Sequence, residues 1–372
     1  MKYLFINSVC GIGSTGRICT DLAQELEAEG NEVKIAYGRD DYVPKQYCKY
    51  AVKIGTDIDR KMHALRTRLF DEHGFGSKRA TKKFLVWVEK YQPDVLWLHN
   101  IHGYYINVEM LFNWIKKHPE IQVKWTLHDC WAFTGHCSYF TVVKCEQWQQ
   151  HCLHCPQLRK YPKCYLTGNV RKNYDRKKMA FTGVKKMTLI VPSKWLADLV
   201  KQSFLREYPL EVHYNTIDKN IFKPTPSGFR ERYKLQDKKI ILGVASTWDS
   251  RKGLDDFVNL AEILDEEYAV VLVGLSPKQI DRLPLNIIGI KRTNNTVELA
   301  QIYTAADIFV NLSFEETYGM TTAEAIACEC KTIIYKGTAG EEAIKGNPLG
   351  RCCNANVEDL YEMIKKILIG EI

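Results

Sequence analysis

The sequence predicts an α/β protein built from two doubly wound halves, and three observations predict it. The chain opens as a strand, a glycine-rich turn, a helix and a second strand, which is the order that begins a parallel sheet. The same alternation starts again at Lys239–Ala245. The length of 372 residues fits two domains of roughly 100–200 residues each.

In the first half, apolar runs and turn residues locate the elements in order. The predicted elements are a strand over Lys2–Asn7, the glycine-rich turn Gly11–Arg17, a helix over Ile18–Glu29 that Gly30 ends, and strands over Glu32–Tyr37, Val95–His99, Gln122–Leu127 and Met187–Val191. Ser193 is a good N-cap for a helix over Lys194–Phe204.

The second half repeats the pattern. After Lys239–Ala245 we predict helices over Leu254–Leu264, Val297–Ala305, Thr321–Ala327 and Glu358–Leu368, and strands over Ala269–Val273, Asn286–Ile290, Ile308–Leu312 and Thr332–Tyr335. The hinge is predicted between Val191 and Lys239, giving domains 1–192 and 193–372, with the last helix a candidate to pack back on the first domain. Ligands of such folds bind at the carboxyl ends of the strands, so we expect the site in a cleft between the two halves.

One stretch, from Cys130 to about Lys186, does not fit the alternation. It shows little helical or strand periodicity, and a loop of that length is uncommon inside a compact domain. We therefore predict a cysteine-rich insertion in the first domain that has its own source of stability or its own function.

Composition indicates a soluble globular protein, with 45% apolar and 26% charged residues. No apolar run approaches the roughly 18 residues that span a bilayer. The apolar stretch Tyr3–Ile6 after Met1-Lys2 is too short for a signal peptide, so we expect a cytoplasmic protein. The thirteen cysteines, an odd count in a chain without an export signal, argue against a disulfide framework.

The net charge of +8 is concentrated in two runs, Arg60–Lys83 and Pro156–Lys186. Solvated helix faces explain such runs, and so does adhesion to an anionic membrane, where each nearby Lys or Arg adds about 1 kcal/mol. Nucleic acid is a weaker alternative because no recognised nucleic-acid motif accompanies the charge. We expect peripheral contact with the inner face of the plasma membrane and no nucleic-acid partner.

The segment Glu315–Ala325 combines two carboxylates with a helix start. Gly319 permits close approach to backbone N–H groups, which form an anion site at a helix N-terminus. Glu316 and Glu324 lie on either side of it and suit sugar and ribose hydroxyls. Ordinary acidic residues of a first helical turn are the alternative explanation.

Three further strand ends carry polar groups. Arg251 and Lys252 open a helix after Lys239–Ala245 and can hold a pyrophosphate in place of a metal ion, although a solvent-facing basic pair is the alternative. The turn containing Gly11, Gly13 and Gly16 resembles a dinucleotide loop but lacks a clear acidic residue at the end of the second strand. His128 can contact a sugar or be structural.

Together these features resemble family-4 glycosyltransferases of the GT-B fold over nearly the whole chain. Pro192-Ser193-Lys194 fits the family, and Asn215-Thr-Ile-Asp218 with Phe222 and Pro224 is similar to its Asn-Gly-Val-Asp…Phe…Pro segment. The stretches Leu98–Asn107 and Trp125–Cys137 are similar to the bacterial subgroup associated with colanic-acid and capsule synthesis.

The resemblance implies a role for each matching residue. Arg251 and Lys252 would hold the donor diphosphate, and Glu324 would bind the ribose. The remaining implied contacts to the donor come from Glu316, from the backbone of Thr317, Tyr318 and Gly319, from His128 near the reacting carbon, and from Gly13, Ser14 and Gly16 lining the cleft. The family retains anomeric configuration, by a favoured front-face mechanism in which the leaving phosphate helps to take the acceptor's proton.

One position departs from the family pattern. Many members carry Arg six residues before the Lys, where this chain has Ser246, and the adjacent Arg251 is the candidate to supply that charge.

Four cysteines of the insertion have spacings that suggest a metal site. Cys137, Cys145, Cys152 and Cys155 form a Cys-x7-Cys-x6-Cys-x2-Cys series, and four thiolates suit tetrahedral zinc. A structural zinc would stabilise a loop that lacks its own core. Reduced thiols and an iron–sulfur cluster are the alternatives, and Cys130, Cys164 or a histidine could replace one ligand.

The sequence therefore predicts a retaining, hexosyltransferase-type glycosyltransferase whose catalysis needs no metal ion or other cofactor. Its donor would be a UDP- or GDP-sugar, and its acceptor a lipid-linked glycan of surface polysaccharide or lipopolysaccharide synthesis. A nucleotide-sugar epimerase on the same fold is one alternative. A zinc-dependent, basic module that binds nucleic acid or protein is another, motivated by the basic cysteine-rich stretch.

Overall fold

The computed structural model of this chain describes residues 1–293 and 295–371. It divides into two compact units, Met1–His213 and Tyr214–Ile372, called here the N-unit and the C-unit. Within the described ranges, no helix has the length and apolar character needed to cross a membrane.

The N-unit is a seven-stranded parallel sheet with helices between its strands. Its strands are β1 (Lys2–Ile6), β2 (Glu32–Tyr37), β3 (Ala51–Lys53), β4 (Val95–Leu98), β5 (Gln122–Thr126), β6 (Met187–Val191) and β7 (Leu210–Val212). Its α-helices are α1 (Gly13–Ala28), α2 (Asp57–Phe70), α3 (Lys78–Tyr91), α4 (Val108–Lys117), α5 (Val170–Phe181) and α6 (Lys194–Lys201). The central strands are buried on both faces, as covered parallel sheets are.

The C-unit repeats the plan with a six-stranded parallel sheet. Its strands are β8 (Lys239–Val244), β9 (Tyr268–Val273), β10 (Ile287–Ile290), β11 (Ile308–Asn311), β12 (Lys331–Tyr335) and β13 (Gly350–Cys353). Its α-helices are α7 (Phe229–Tyr233), α8 (Leu254–Ile263), α9 (Pro277–Ile280), α10 (Thr296–Ala305), α11 (Met320–Ala327), α12 (Gly340–Ile344) and α13 (Val357–Leu368). The prediction of two doubly wound α/β halves is therefore confirmed.

Both sheets reverse their strand order at one point. The N-unit order is β3-β2-β1-β4-β5-β6-β7, and the C-unit order is β10-β9-β8-β11-β12-β13. The order reverses between β1 and β4 in the first sheet and between β8 and β11 in the second. Loops that leave the carboxyl ends of these strand pairs form the crevice in which doubly wound sheets bind ligands.

The boundary between the units lies later than the sequence predicted. The predicted division at 192/193 would place α6 and β7 with the second domain, but β7 pairs with β6, Leu189 lying opposite Leu210, so both elements complete the first sheet. The observed boundary, after His213, falls inside the predicted hinge range of Val191–Lys239.

The last helix, α13, packs on the sheet of the C-unit. Leu360, Ile364 and Ile367 on its apolar face belong to the core of that unit, together with residues of β12 and β13. This face therefore packs within the C-unit, whereas the sequence indicated the last helix as a candidate to pack on the first domain.

The insertion between β5 and β6 contains a helix that the sequence did not predict. α5 buries residues spaced as one helical face, but two of them, Asn173 and Lys177, are polar, and they interrupt the apolar period. The Lys177 ammonium is fully buried and donates to the carbonyl oxygens of Trp131 (2.7 Å) and Thr134 (3.0 Å). It also lies 3.6 Å from the centroid of the Trp131 ring. This lysine holds the start of the insertion against α5.

Candidate active site

The loop after β8 forms a tight turn that presents two cations. Ser250–Lys252 is a single 3₁₀ turn, and Asp249 Oδ1 accepts from the Lys252 backbone N–H at 3.1 Å. Gly253 follows with φ +73°, and a Cβ there would lie 2.5 Å from the carbonyl oxygen of Leu312. Only glycine allows this turn to approach the end of β11 so closely.

This approach brings the predicted cations to the predicted carboxylate. Lys252 Nζ lies 2.6 Å from Glu316 Oε2, and the two side chains are only 19% and 17% exposed. The Arg251 guanidinium donates to the carbonyl oxygen of Glu315 at 3.4 Å. Arg251, Lys252 and Glu316 therefore meet where the strand order of the C-unit reverses.

The electrostatics of the pair keep Glu316 ionised. Burial by itself would raise the pKa of the Glu316 carboxyl. The Lys252 charge and its hydrogen bond, together with the charge of Arg251, outweigh that effect and hold the pKa below its usual value. At neutral pH the site thus contains a carboxylate beside two cations, and the Lys252 and Glu316 side chains are mostly shielded from solvent.

The loop after β11 ends in the N-terminus of α11. Thr317 and Tyr318 lead into Gly319, which has φ +93° and is the N-cap of that helix. The first backbone N–H groups of a helix have no partner within the helix and are suited to bind an anion. The predicted backbone contacts at Thr317, Tyr318 and Gly319 thus occupy a helix N-terminus beside Glu316.

Glu324 lies in α11 and is almost fully buried. The Tyr303 hydroxyl, from α10, donates to Glu324 Oε2 at 3.2 Å. This contact holds the carboxylate in place, and no sequence pattern indicated it because the two residues lie on different helices.

In the N-unit, the glycine-rich segment is the first turn of α1. The helix begins at Gly13, earlier than the predicted Ile18, so Gly13 and Ser14 lie at its N-terminus. A Cβ on Gly16 would lie 3.2 Å from the backbone nitrogen of Gly11, which donates to the Gly16 carbonyl oxygen at 3.2 Å. The three glycines of the motif therefore close a compact turn at the carboxyl end of β1.

His128 follows β5 and contacts a histidine that follows β4. Its Nε2 lies 3.0 Å from His99 Nδ1, and the two rings stack at 5.3 Å between centroids. Burial lowers the pKa of His128 to about 4, partly opposed by the charge of Asp129. The imidazole is thus neutral at pH 7 and is suited to hydrogen bonding rather than to charge stabilisation.

A second pair at the same edge of the sheet was not predicted. His102 Nε2 lies 2.9 Å from Asp129 Oδ2, and Asp129 Oδ1 accepts from the Trp131 backbone N–H at 2.9 Å. Burial alone would raise the pKa of Asp129, but the attraction and hydrogen bond of His102 produce a net lowering. Both residues stand in the strand-end stretches that the sequence singled out, and that position was the available signal.

The structure brings the four predicted metal ligands near one another, since Cys137 interacts with Cys155 and Cys152, and Cys152 interacts with Cys145. Cys137 and Cys155 share a side-chain hydrogen bond, and Cys152 Sγ accepts from the Gly135 backbone N–H at 3.3 Å. Across residues 1–293 and 295–371, no three His, Cys, Asp or Glu side chains are grouped so that they could hold a metal ion. Cys137 and Cys152 instead pack inside the apolar core, with Cys145 and Cys155 at its margin. Zinc, like its alternatives, stays a prediction.

Part of the chain is similar in sequence to known glycosyltransferases. Residues 228–371, within the C-unit, match the family described as glycosyl transferases group 1. A glycosyl transferase of Escherichia coli K12 named for colanic acid biosynthesis, WcaC, is 27% identical over 170 residues, which is 44% of this chain and 41% of that protein. An alpha-galactosylglucosyldiacylglycerol synthase of Streptococcus pneumoniae is 29% identical over 212 residues, 48% of this chain and 55% of that protein. The chain thus spans about half the length of these relatives.

Two solved structures show the fold over the full chain. A sucrose-phosphate synthase from Thermosynechococcus elongatus has a TM-score of 0.72 at 16% identity, covering 99% of this chain and 90% of that one. Anabaena HepE in complex with UDP-glucose has a TM-score of 0.66 at 14% identity, covering 100% and 90%.

Two parallel α/β units of this kind, with charged groups at the strand-order reversal of the second, define a protein of the GT-B fold. The group 1 domain at residues 228–371 and the curated relatives make this chain similar to the family-4-like glycosyltransferases.

Proposed function

We propose that this chain is a retaining, hexosyltransferase-type glycosyltransferase whose catalysis needs no metal ion. The observation that carries the proposal is the Lys252–Glu316 pair, with Arg251 beside it, at the strand-order reversal of the C-unit. Two cations held in a site that is mostly shielded from solvent can stabilise the negative charge that develops on a leaving diphosphate, which is the role of a divalent ion in metal-dependent transferases.

The donor in this proposal is a UDP- or GDP-sugar. HepE, which shares the fold, has been solved with UDP-glucose, and this supports a nucleotide-sugar donor. Arg251 and Lys252 would bind the diphosphate, and the N-terminus of α11 would accept phosphate oxygens through its backbone N–H groups. Glu316 and Glu324 would accept hydrogen bonds from hydroxyls of the sugar and the ribose.

The transfer we propose occurs on one face of the sugar. The acceptor hydroxyl oxygen bonds to the anomeric carbon, the bond from that carbon to the donor phosphate oxygen breaks, and the hydroxyl proton passes to the departing diphosphate. Attack and departure on the same face retain the configuration. The neutral His128 would hydrogen-bond the sugar near the reacting carbon, and Arg251 and Lys252 would stabilise the diphosphate product.

The acceptor we propose is a lipid-linked glycan of surface polysaccharide or lipopolysaccharide synthesis. One curated relative is named for colanic acid biosynthesis, and the other is a diacylglycerol-glycolipid synthase. Acceptors of this kind are held at a bilayer, which would place the enzyme on the cytoplasmic face of the membrane.

Thermal unfolding with UDP-, GDP-, ADP- and CMP-sugars, each with and without EDTA, tests the donor and the independence of metal. We expect one nucleotide class to raise the melting temperature equally in both conditions, because a ligand that binds only the folded state stabilises it. Loss of the shift in EDTA would contradict metal independence. Folded protein that responds to no donor would contradict the transferase and favour the binding-module alternative. Turnover of the donor sugar to its epimer without an acceptor would favour the epimerase.

A further inference from the structure

The outward face of α2 is apolar, which reverses the usual pattern of a surface helix. Ile58, Met62 and Leu65 recur at helical spacing and are 74%, 53% and 45% exposed. The residues that α2 buries are instead polar, His63 and Thr67. A surface helix ordinarily turns its apolar stripe towards the core, whereas this stripe leaves about half or more of each side chain exposed to solvent.

A loop of the insertion extends the apolar face. The Tyr165 backbone N–H donates to the Arg68 carbonyl oxygen at 2.7 Å, and Thr167 N–H donates to that of Leu69 at 3.0 Å. These bonds hold the loop along the last turn of α2. Its Tyr165 and Leu166 side chains are both well exposed, as is Phe70 at the end of the helix. The outer face of α2 together with residues 159–167 is called here the α2 surface.

Basic side chains surround the apolar ones. The exposed cations of the α2 surface are Lys61, Arg66, Arg68, Arg159, Lys160 and Lys163. Lys61 pairs with Asp57 and Arg66 with Glu72, but exposed pairs of this kind are weak and leave cations able to exchange partners. The surface therefore combines projecting apolar groups with an excess of positive charge.

We propose that the α2 surface binds an anionic lipid bilayer. Its apolar side chains would enter the boundary between headgroups and acyl chains, and its Lys and Arg side chains would contact anionic headgroups, as in helices that lie in a membrane interface. An apolar patch alone would suit a protein partner equally. The surrounding cations favour the bilayer, because both features then meet their complements in one partner.

This inference rests on the proposed function only for its purpose, since a lipid-linked acceptor gives the enzyme a reason to bind a membrane. The binding itself can be tested without turnover. If the α2 surface does not bind membranes, donor binding is unchanged. If the proposed function is wrong, the donor assay shows no response.

The test is flotation of the full chain with two kinds of vesicle, phosphatidylcholine alone and phosphatidylcholine mixed with phosphatidylglycerol. We expect binding to the anionic vesicles that weakens with added salt. Met62→Ser with Leu65→Ser should reduce the partition coefficient about tenfold or more, because two apolar side chains no longer enter the bilayer. Lys160→Gln with Lys163→Gln should reduce it on anionic vesicles only.

Val86→Ser on α3 is the matched control, because Val86 is 54% exposed in the same unit but lies outside the α2 surface. It should bind vesicles as the unaltered chain does. All variants should keep their melting temperature and donor response, since these side chains are exposed. Equal binding by the Met62/Leu65 double variant would overturn the proposal. Absence of binding to anionic vesicles would also overturn it. If the double variant then changes self-association, the α2 surface is a contact between copies of this chain and not a membrane surface.

Discussion

The two units share a strand order but differ in the chemistry at its reversal. In the C-unit, the loops after β8 and β11 bring together Arg251, Lys252 and Glu316, all charged. In the N-unit, the loops after β1, β4 and β5 bring a glycine turn and the histidines His99, His102 and His128. The ten histidines of the chain all precede residue 214, so the C-unit has none.

One sheet topology can therefore present two kinds of polar surface. Fixed charges suit a diphosphate, whose charge grows as it leaves, whereas backbone groups and the imidazoles of His99 and His128, whose pKa values burial lowers, suit hydroxyls, which carry no charge. Under the proposed function, the C-unit would bind the donor's charged part and the N-unit would contact the sugar.

The largest effect should come from Lys252→Ala, which removes a cation from the C-unit site and leaves Glu316 partly buried without its partner. We expect donor turnover to fall by about 10²–10³-fold, the size typical of losing one fixed group that stabilises developing charge. The measurement is kcat/KM for the donor found in the thermal panel. Lys278→Ala is the matched control, because Lys278 is an exposed lysine of the same unit. Turnover of Lys252→Ala close to that of Lys278→Ala would remove Lys252 from the mechanism.

The C-unit site could be predicted because its residues are adjacent in short motifs at strand ends. Arg251 and Lys252 lie in the loop after β8, and Glu316 lies in the loop after β11, so each was assigned to a strand end, where ligands of such folds bind. The pairing of β8 with β11, which brings the two loops together, was not predicted. The partner of Glu324 could not be predicted in this way. Tyr303 reaches it from another helix, and only the packing of α10 against α11 sets that distance.

The N-unit was less predictable for a related reason. α5 was missed because Lys177 and Asn173 are buried polar residues, and their partners are backbone carbonyl oxygens that no sequence pattern records. The cysteine spacing predicts metal ligands, which stay a prediction, but it did not predict that those thiols pack into or against an apolar core. Spacing along a chain does not fix how a loop folds when the loop lacks regular structure.

A second prediction concerns the stability of the N-unit. His63 is buried, and its Nε2 accepts from the backbone N–H groups of Gly74 (3.2 Å) and Gly76 (3.1 Å), while its Nδ1 lies 2.9 Å from Ser77 Oγ. His63→Ala would leave both N–H groups without that acceptor, so we expect a loss of about 2–4 kcal/mol in the free energy of unfolding at pH 7. Exposed His154→Ala should change it by less than about 0.5 kcal/mol.

Urea unfolding followed by tryptophan fluorescence measures this, because seven of the eight tryptophans lie in the N-unit and only Trp248 lies in the C-unit. Burial lowers the pKa of His63 to about 4, whereas an unfolded histidine titrates near 6.5. Between these values the unfolded state binds more protons, so the stability that His63 contributes is present above pH 6.5 and is lost as the pH falls towards 4. The gap between the unaltered chain and His63→Ala should narrow by about 2 kcal/mol from pH 7 to pH 5. A constant gap would contradict the neutral tautomer.

A third prediction uses the pH dependence of turnover to test whether His128 in the N-unit site is neutral. Because burial lowers the pKa of His128 to about 4, it is neutral from pH 6 to pH 8, and kcat/KM should show no titration near 6.5 that depends on this residue. His128→Ala should lower kcat by about 5- to 100-fold through loss of a hydrogen bond, and His128→Gln should restore part of it. A step near pH 6.5 that disappears in His128→Gln would show a charged imidazole instead and would weaken the contrast between the units.

The smallest effect should come from Tyr303→Phe, which removes one hydrogen bond to Glu324 while keeping the ring that packs on Phe309. If Glu324 binds the donor ribose, a less well fixed carboxylate should raise the donor KM about fivefold with kcat unchanged, the equivalent of about 1 kcal/mol of uniform binding. Tyr335→Phe is the matched control, since the Tyr335 hydroxyl donates at 2.7 Å to Asp256 Oδ2, a carboxylate of the same unit that has no role in the proposed function. Both variants lose one tyrosine–carboxylate hydrogen bond and should lose similar stability. Only a role for Glu324 in donor binding predicts that the donor KM rises in Tyr303→Phe and not in Tyr335→Phe.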